Sequence, residues 1–126
     1  MTPRNAAQWF EIPVRDLNRA QAFYETLLGL PIRRETLAAG SELAVFGCDE
    51  LGVGGCLMAG ANAPVPSHSG TLVYLDAGAA LDTVRARVEA AGGRVTTPKV
   101  QLPGDMGCFA HIADTEGNRA GLHAAQ

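Results

Sequence analysis

The fold of this chain is decided by residues 9–28, which read WFEIPVRDLNRAQAFYETLL. In residues 8–14, apolar side chains alternate with a second set that includes Trp9 and Glu11, and this period of two predicts a strand. Apolar side chains then recur at steps of three and four, which predicts an amphipathic helix over residues 17–28. The chain therefore opens with a strand that leads directly into a helix.

Residues typical of helix ends mark the limits of this helix. Asp16 offers an N-cap oxygen, and Gly29 supplies the left-handed conformation that ends a helix. A second helix with the same apolar spacing is predicted over residues 80–91, and its first apolar residue, Leu81, lies about 64 positions after Leu17. The same helical unit thus occurs twice in one chain.

Each copy of the helix belongs to a module with the order strand, helix, strand, strand, strand. The first module covers about residues 8–58 and the second about residues 70–124, while residues 59–69 are rich in Gly, Pro and Ser and are interpreted as a linker. The other strands are predicted at residues 32–36, 42–47, 54–58, 71–75, 94–97, 108–113 and 119–124, with turns at 38–41, 47–50 and 114–118.

The length of the chain limits how many cores it can build. It has 126 residues, of which 47% are hydrophobic. That composition is sufficient for one sizeable core but not for two independent ones, so the modules must pack on each other. Residues 1–126 are therefore predicted to form a single domain of the α+β class.

Charge and cysteine content exclude several classes of partner and site. The net charge is −3 and no basic cluster is present, which argues against nucleic acid and anionic membranes. No segment has the roughly 20 apolar residues of a membrane helix. The three cysteines are an odd number without Cys-x-x-Cys spacing, which indicates reduced thiols. We expect a cytoplasmic protein whose partner is a small organic molecule.

Four segments of the sequence carry a family resemblance: residues 9–17, 22–24, 88–93 and the hairpin 114–118 with the strand that follows it. Together they resemble the vicinal oxygen chelate superfamily, which includes glyoxalase I, extradiol dioxygenases, fosfomycin resistance proteins and bleomycin resistance proteins. The resemblance implies two βαβββ modules whose curved mixed sheets surround a cup, with helices packed outside. It also implies a homodimer in which the cups are shared or exchanged between subunits.

The metal enzymes of this superfamily hold a divalent ion through His, Gln or Glu on the first and last strands of the modules. The resemblance places these four positions at Trp9, Cys56, Thr71 and Gly121. Indole only donates a hydrogen bond, glycine has no side chain, and one thiol beside one hydroxyl falls short of three protein ligands. We therefore expect no metal and no other cofactor, with a divalent metal held by other residues as the alternative.

Two ionisable side chains lie close to these positions. Glu11 and His123 are each two residues from Trp9 and Gly121 and therefore share their strand faces. One interpretation is a general acid and base, or a pair of groups that hold the polar end of a ligand. The other is that Glu11 pairs with Arg119 and that His123 is solvated or bonded to backbone.

Trp9, His111 and residues 101–107 each allow two interpretations. Trp9 provides a rigid aromatic surface for a planar ligand, or it fills the cup as a plug. His111 shares a strand face with Phe109 and is expected to pack in a core or dimer contact rather than to bind a ligand. Residues 101–107 form either a lid or a passive connection.

These observations lead to one expected function and two alternatives. We expect a protein of the glyoxalase and bleomycin resistance type that binds a small organic molecule in the cup without the metal. The alternative is a lyase, isomerase or dioxygenase of the same superfamily that uses Glu11 and His123, and a third class is a structural protein with a filled cup. The expected ligand-binding residues are Trp9, Glu11, Cys56, Thr71, Gly121 and His123.

Overall fold

The computed structural model describes residues 2–37 and 40–126. The first module consists of β1 (Trp9–Pro13), α1 (Leu17–Leu28), β2 (Ile32–Thr36), β3 (Glu42–Phe46) and β4 (Gly54–Ala59). The second consists of β5 (Tyr74–Asp76), α2 (Leu81–Arg85), α3 (Val88–Ala91), β6 (Arg94–Gln101), β7 (Cys108–Ala113) and β8 (Arg119–Ala124). The turn predicted at 38–41 includes positions 38 and 39, which lie outside the described residues.

The two modules have the same sheet topology. The strand orders are β1-β4-β3-β2 in one sheet and β5-β8-β7-β6 in the other. In each sheet the first strand pairs in parallel with the last, and the remaining neighbours are antiparallel. The predicted α+β fold is confirmed, together with the two mixed sheets that the resemblance implied.

Helix α1 forms where the sequence predicted it, because its ends are specified locally. The side chain of Asp16 accepts a hydrogen bond from the Arg19 amide at 3.0 Å. Gly29 has a φ of 70° and donates its N–H to the Glu25 carbonyl at 2.9 Å. The apolar face predicted for this helix is buried: Leu17, Ala20, Tyr24 and Leu27.

The second helix differs from the prediction, since it is divided into α2 and α3. The amide of Arg87 bonds to the Val84 carbonyl three residues back at 3.0 Å, which tightens the turn between the two short helices. The Arg87 guanidinium reaches the Leu27 carbonyl at the end of α1, at 3.2 Å. The break therefore directs Arg87 towards the other module.

Two strand boundaries also differ from the prediction. β5 begins at Tyr74 rather than at Thr71, although the Val73 carbonyl still accepts a hydrogen bond from the Gly121 amide of β8 at 2.8 Å. β6 continues to Gln101 instead of ending at Thr97, with register shifts on both sides of Thr97 against β7. The connection after β6 is correspondingly short.

One hydrophobic core contains residues from both modules. α1 packs on β3 and β4 and also against α2 and α3, and α2 packs on β7 and β8. Ile12 and Leu57 enter this core from the first sheet, and Ile112 and Leu122 enter it from the second. Because successive strand residues point to opposite faces, the other face of each sheet is turned away from the helices.

The β7–β8 turn attaches the second module to the start of α1. The Glu116 carboxylate accepts hydrogen bonds from the amides of Arg15 and Asp16, at 2.9 and 2.8 Å, and from the Arg19 guanidinium at 2.7 Å. The buried Tyr24 hydroxyl donates to Asp114 at 2.7 Å. These bonds fix β8 relative to β1.

Across the described ranges, no helix has the length and apolar character needed to cross a membrane.

Candidate functional site

Trp9, Glu11 and Cys56 lie together on the face of the first sheet that is turned away from the helices. The parallel register places Trp9 opposite Gly54 and Glu11 opposite Cys56. Gly54 leaves room for the indole, since a Cβ at that position would be 3.2 Å from the Trp9 ring. Trp9 is 46% exposed, which is the exposure of a surface anchor and not of a core side chain.

The Cys56 thiol is buried beside the Glu11 carboxylate. Its sulfur lies 3.9 Å from Glu11 Oε2, and none of the residue is exposed. Burial and the adjacent Glu11 charge raise the pKa of Cys56 to about 11. The thiol therefore remains protonated at neutral pH, and it is neither a ready nucleophile nor a ready metal ligand.

A cavity of about 440 Å³ opens beside Trp9 and Glu11. It lies between β1, the linker and the segment that precedes β5. Thr71 lines it, so the structure brings together three of the predicted ligand-binding residues, whereas the buried Cys56 does not line it. Val65 and Arg119 also line the cavity.

Arg119 was not among the predicted ligand-binding residues. Its Nε atom is buried and has no hydrogen-bond partner in the described part of the chain. One interpretation of the sequence was an ion pair between Glu11 and Arg119. Among the described residues, the ion pairs do not include this one. The only available sequence signal was its place at the start of the last strand, on the face of Gly121.

Gly121 lies under an aromatic ring instead of opening to a ligand. It pairs with Tyr74 across β5 and β8, and a Cβ at Gly121 would overlap the Tyr74 ring. The first sheet pairs Trp9 with Gly54 in the same way. By strand register, the counterpart of Trp9 is therefore Tyr74 and not Thr71.

Tyr74 belongs to a cluster of aromatic side chains on the outer face of the second sheet. Its hydroxyl is 2.8 Å from His111 Nε2. The centroid of the Phe109 ring lies 5.8 Å from that of Tyr74 and 5.3 Å from that of His111. Burial and the nearby Arg119 charge lower the pKa of His111. The imidazole is therefore neutral at pH 7 and packs with Phe109, as its strand position indicated.

The structure does not bring Glu11 and His123 together. Glu11 is on the first sheet at the Trp9 cavity, whereas His123 is on the second sheet and does not line that cavity. His123 Nε2 lies 2.7 Å from the Met106 carbonyl, which matches the alternative that backbone satisfies this histidine. An acid–base pair made of these two residues has no support in this geometry.

The loop that contains Met106 is closed by hydrogen bonds of its own. The Leu102 amide donates to the Gly107 carbonyl at 2.9 Å, and the Gln101 side chain donates to the same carbonyl at 3.1 Å. None of residues 101–107 lines the Trp9 cavity.

The four positions that hold a metal in the superfamily do not fit one here. Trp9 has no acceptor, Gly121 has no side chain and is covered by Tyr74, and one thiol at Cys56 with one hydroxyl at Thr71 falls short of three protein ligands. Nowhere in residues 2–37 and 40–126 do three or more His, Cys, Asp or Glu side chains form a group that could hold a metal.

A larger cavity, of about 550 Å³, lies at the end of α1 and is lined by Phe10, Phe46 and Val84. Its two carboxylates hold local turns, since Asp49 accepts from the Leu51 amide and Asp76 from the Gly78 amide. The Trp9 cavity is the better candidate because it is lined by Arg119, whose Nε atom has no hydrogen-bond partner among the described residues.

Comparison with known proteins extends these observations. The model of the Glyoxalase/Bleomycin resistance protein/Dioxygenase superfamily matches residues 6–122. The chain is 32% identical over 112 residues to the putative glyoxylase CFP32 of Mycobacterium bovis and of Mycobacterium tuberculosis. The alignment covers 86% of this chain but 40% of each relative, so the chain spans about two-fifths of their length.

Two solved structures show the same fold. TnmS3, an antibiotic binding protein from Streptomyces sp. CB03234, has a TM-score of 0.67 at 23% identity, with 98% of both chains covered. Glyoxalase I from Zea mays has a TM-score of 0.65 at 20% identity, with 94% of this chain and 45% of that chain covered. The resemblance seen in four sequence segments is confirmed over nearly the whole chain, which belongs to the Glyoxalase/Bleomycin resistance protein/Dioxygenase superfamily.

Proposed function

We propose that this chain binds a small planar organic molecule in the cavity beside Trp9, without a metal ion. The observation that carries the proposal is the exposed indole at the wall of a cavity of about 440 Å³. That volume lies within the range of small-molecule sites. A plug would be buried by its neighbours, whereas Trp9 keeps 46% of its surface accessible.

The chemistry of the cavity supports binding over catalysis. An aromatic face, the Thr71 hydroxyl and the Glu11 carboxylate suit recognition of a planar ligand with polar substituents. A metal enzyme of the superfamily needs donors that Trp9 and Gly121 do not have. TnmS3, which has the same fold, is described as an antibiotic binding protein, so this scaffold supports a binding function.

We also propose that the protein is a homodimer. Several large apolar side chains are exposed although they lie on or beside the sheets, and a second copy would cover part of this surface. They are Trp9, Val53, Tyr74, Val100 and Met106.

We further propose that the protein is cytoplasmic, because its three free thiols fit a reducing compartment.

Two matched probes test the binding function. We expect 2-naphthylmethanol to bind in calorimetric titrations and its saturated decahydro analogue to bind more weakly, because only the flat ring stacks on indole. Trp9→Ala should weaken binding of the naphthyl probe by about 5- to 150-fold, the range for losing one aromatic anchor.

A variant at an exposed leucine provides the control. Leu51 is 70% exposed and does not line the Trp9 cavity, so Leu51→Ala should leave the affinity unchanged. Equal affinity of wild type and Trp9→Ala for the naphthyl probe, or no binding at millimolar concentration, would refute the proposed site.

A further inference from the structure

Arg119 has a guanidinium whose hydrogen bonds are incomplete within the described chain. Its Nε atom is inaccessible to water and has no partner. Three other arginines do donate hydrogen bonds within the protein. Arg19 bonds to Glu116, Arg34 to Gln21 and Asn18, and Arg87 to the Leu27 carbonyl. A buried donor without a partner is costly and rare in folded proteins, so it requires an explanation such as a bound water, ion or ligand.

The position of Arg119 connects this donor to the Trp9 cavity. Arg119 is the first residue of β8 and lines that cavity together with Trp9 and Thr71. Among the described residues that line it, Arg119 is the one with a cationic side chain. His111, its neighbour on the sheet face, is neutral at pH 7 and does not add a second positive charge.

The backbone around Arg119 is held in place before any ligand binds. Asp114 accepts hydrogen bonds from the amides of Glu116 and Asn118, at 2.8 and 2.9 Å, and thereby fixes the turn that leads into β8. The Asn118 side chain donates to the Pro13 carbonyl of β1 at 2.7 Å. The backbone at Arg119 is therefore already fixed beside β1, and ligand binding would need to order it little further.

The second charged group of the cavity limits what the ligand carries. Glu11 is not in an ion pair with Arg119, and its carboxylate lies against the Cys56 thiol of the first sheet. One cation and one separate anion suit a ligand with one acidic group, because a second acid near Glu11 would be repelled.

On the basis of the proposed function, we propose that Arg119 is the anion-recognising residue of the Trp9 cavity and that the natural ligand is a planar aromatic molecule with one acidic group. The ring stacks on Trp9, and the carboxylate or similar oxyanion accepts hydrogen bonds from the terminal amino groups of the Arg119 guanidinium. A guanidinium is well suited to this role because its planar fork matches a carboxylate.

Three naphthalene probes test this assignment by calorimetry. They are 2-naphthoate, the uncharged 2-naphthylmethanol and naphthalene-2,6-dicarboxylate. We expect the monoacid to bind about tenfold more tightly than the alcohol, as one charge-assisted hydrogen bond allows. The diacid should bind more weakly than the monoacid because of Glu11.

Variants separate the role of Arg119 from a general effect of charge. Arg119→Gln should lower the affinity for 2-naphthoate about tenfold and leave that for the alcohol unchanged, while Arg119→Lys should fall between. Arg33→Gln is the matched control, since it removes the same charge from an exposed side chain that does not line the cavity. Circular dichroism of each variant checks that it is folded.

The outcomes distinguish this inference from the proposed function. Equal binding of acid and alcohol in wild type, with both weakened by Trp9→Ala and neither by Arg119→Gln, would overturn the role of Arg119 and keep the binding site. Absence of binding by all three probes would overturn both. An equal loss for acid and alcohol in the folded Arg119→Gln protein would also count against recognition of the acidic group.

Discussion

The ring of Tyr74 on β5 covers the backbone of Gly121 on β8, and no side chain larger than hydrogen fits beneath it. The same arrangement occurs in the first module, where the Trp9 indole lies beside Gly54 on the neighbouring strand. Each module thus presents an aromatic side chain over a glycine on the face turned away from the helices. This symmetry identifies Tyr74 as the structural equivalent of Trp9.

Gly121→Ala should lower the free energy of unfolding by about 1–3 kcal/mol, because the added methyl group overlaps the Tyr74 ring. Urea denaturation followed by circular dichroism measures the change. Gly47→Ala is the control, since a Cβ at Gly47 has no heavy atom within 4 Å. In a Tyr74→Ala background the cost of Gly121→Ala should decrease, and an unchanged cost would show that the ring is not its cause.

Glu116→Gln should destabilise the protein by about 1–3 kcal/mol, because the buried carboxylate accepts bonds from two amides and the Arg19 guanidinium. Glu35→Gln, which removes an exposed ion pair with Arg33, should change stability by less than about 1 kcal/mol. Chemical denaturation at pH 7 compares the two variants, and equal losses would exclude a special role for Glu116.

The pH dependence of stability should also depend on Glu116. Burial alone would raise the pKa of this carboxyl, but hydrogen bonds from Arg19, the Asp16 amide, Thr115 and the Arg15 amide lower it to about 2. The folded pKa is thus below the ordinary value of 4.5, so the stabilisation is complete above pH 4.5 and is lost as pH falls towards 2. Denaturation curves from pH 7 to 2 should show a steeper loss for wild type than for Glu116→Gln.

Trp9→Ala should have only a small effect on stability, below about 2 kcal/mol, because nearly half of the side chain is already exposed in the folded state. Thermal and urea denaturation measure it in the absence of any ligand. A loss of about 3–5 kcal/mol, the range for emptying a buried aromatic site, would instead identify Trp9 as a structural plug.

Elemental analysis should find no stoichiometric zinc, nickel, iron or manganese in protein purified without chelator, because the described residues contain no suitable set of donors. Added Zn²⁺ or Ni²⁺ should not raise the melting temperature, since an ion that binds the folded state would stabilise it. About one metal ion per chain, with a melting temperature lowered by chelation, would refute this prediction.

Light scattering should give about twice the chain mass of 13.1 kDa at micromolar concentration, because the exposed aromatic and aliphatic side chains of the sheets favour association. The Tyr74 side chain, 47% exposed, is the natural point to weaken that contact, so Tyr74→Lys should shift the mass towards the monomer. A mass near 13.1 kDa for wild type over the whole concentration range would contradict the dimer.

Features specified by short-range patterns were accurately predicted from the sequence. The limits of α1 follow from the Asp16 cap and from Gly29. The order in which strands and helices follow one another along the chain was predicted from the spacing of apolar side chains. The turn predicted at residues 114–118 connects β7 to β8, and Gly117 within it has a φ of 99°. Each of these signals lies within a few residues of the structure that it specifies.

Other features depend on partners that are distant in the sequence. The equivalence of Trp9 and Tyr74 follows from their hydrogen-bonded register against β4 and β8, whereas the resemblance had placed the counterpart of Trp9 at Thr71. The pairing of Glu116 with the start of α1 joins positions about 100 residues apart. Likewise, Glu11 and His123 have suitable chemistry for a catalytic pair, but the packing of the modules holds them on different sheets.

By itself, the sequence determined the two modules and the limits of α1, because helix caps, strand alternation and turn residues act locally. The family followed from the resemblance of four sequence segments to a known superfamily. Only the tertiary structure decided that Trp9, Thr71 and Arg119 share one cavity, and that the buried Arg119 Nε has no partner among the described residues. The physical reason is that a cavity and an unsatisfied donor are defined by what surrounds them, and those surroundings come from three separate parts of the chain.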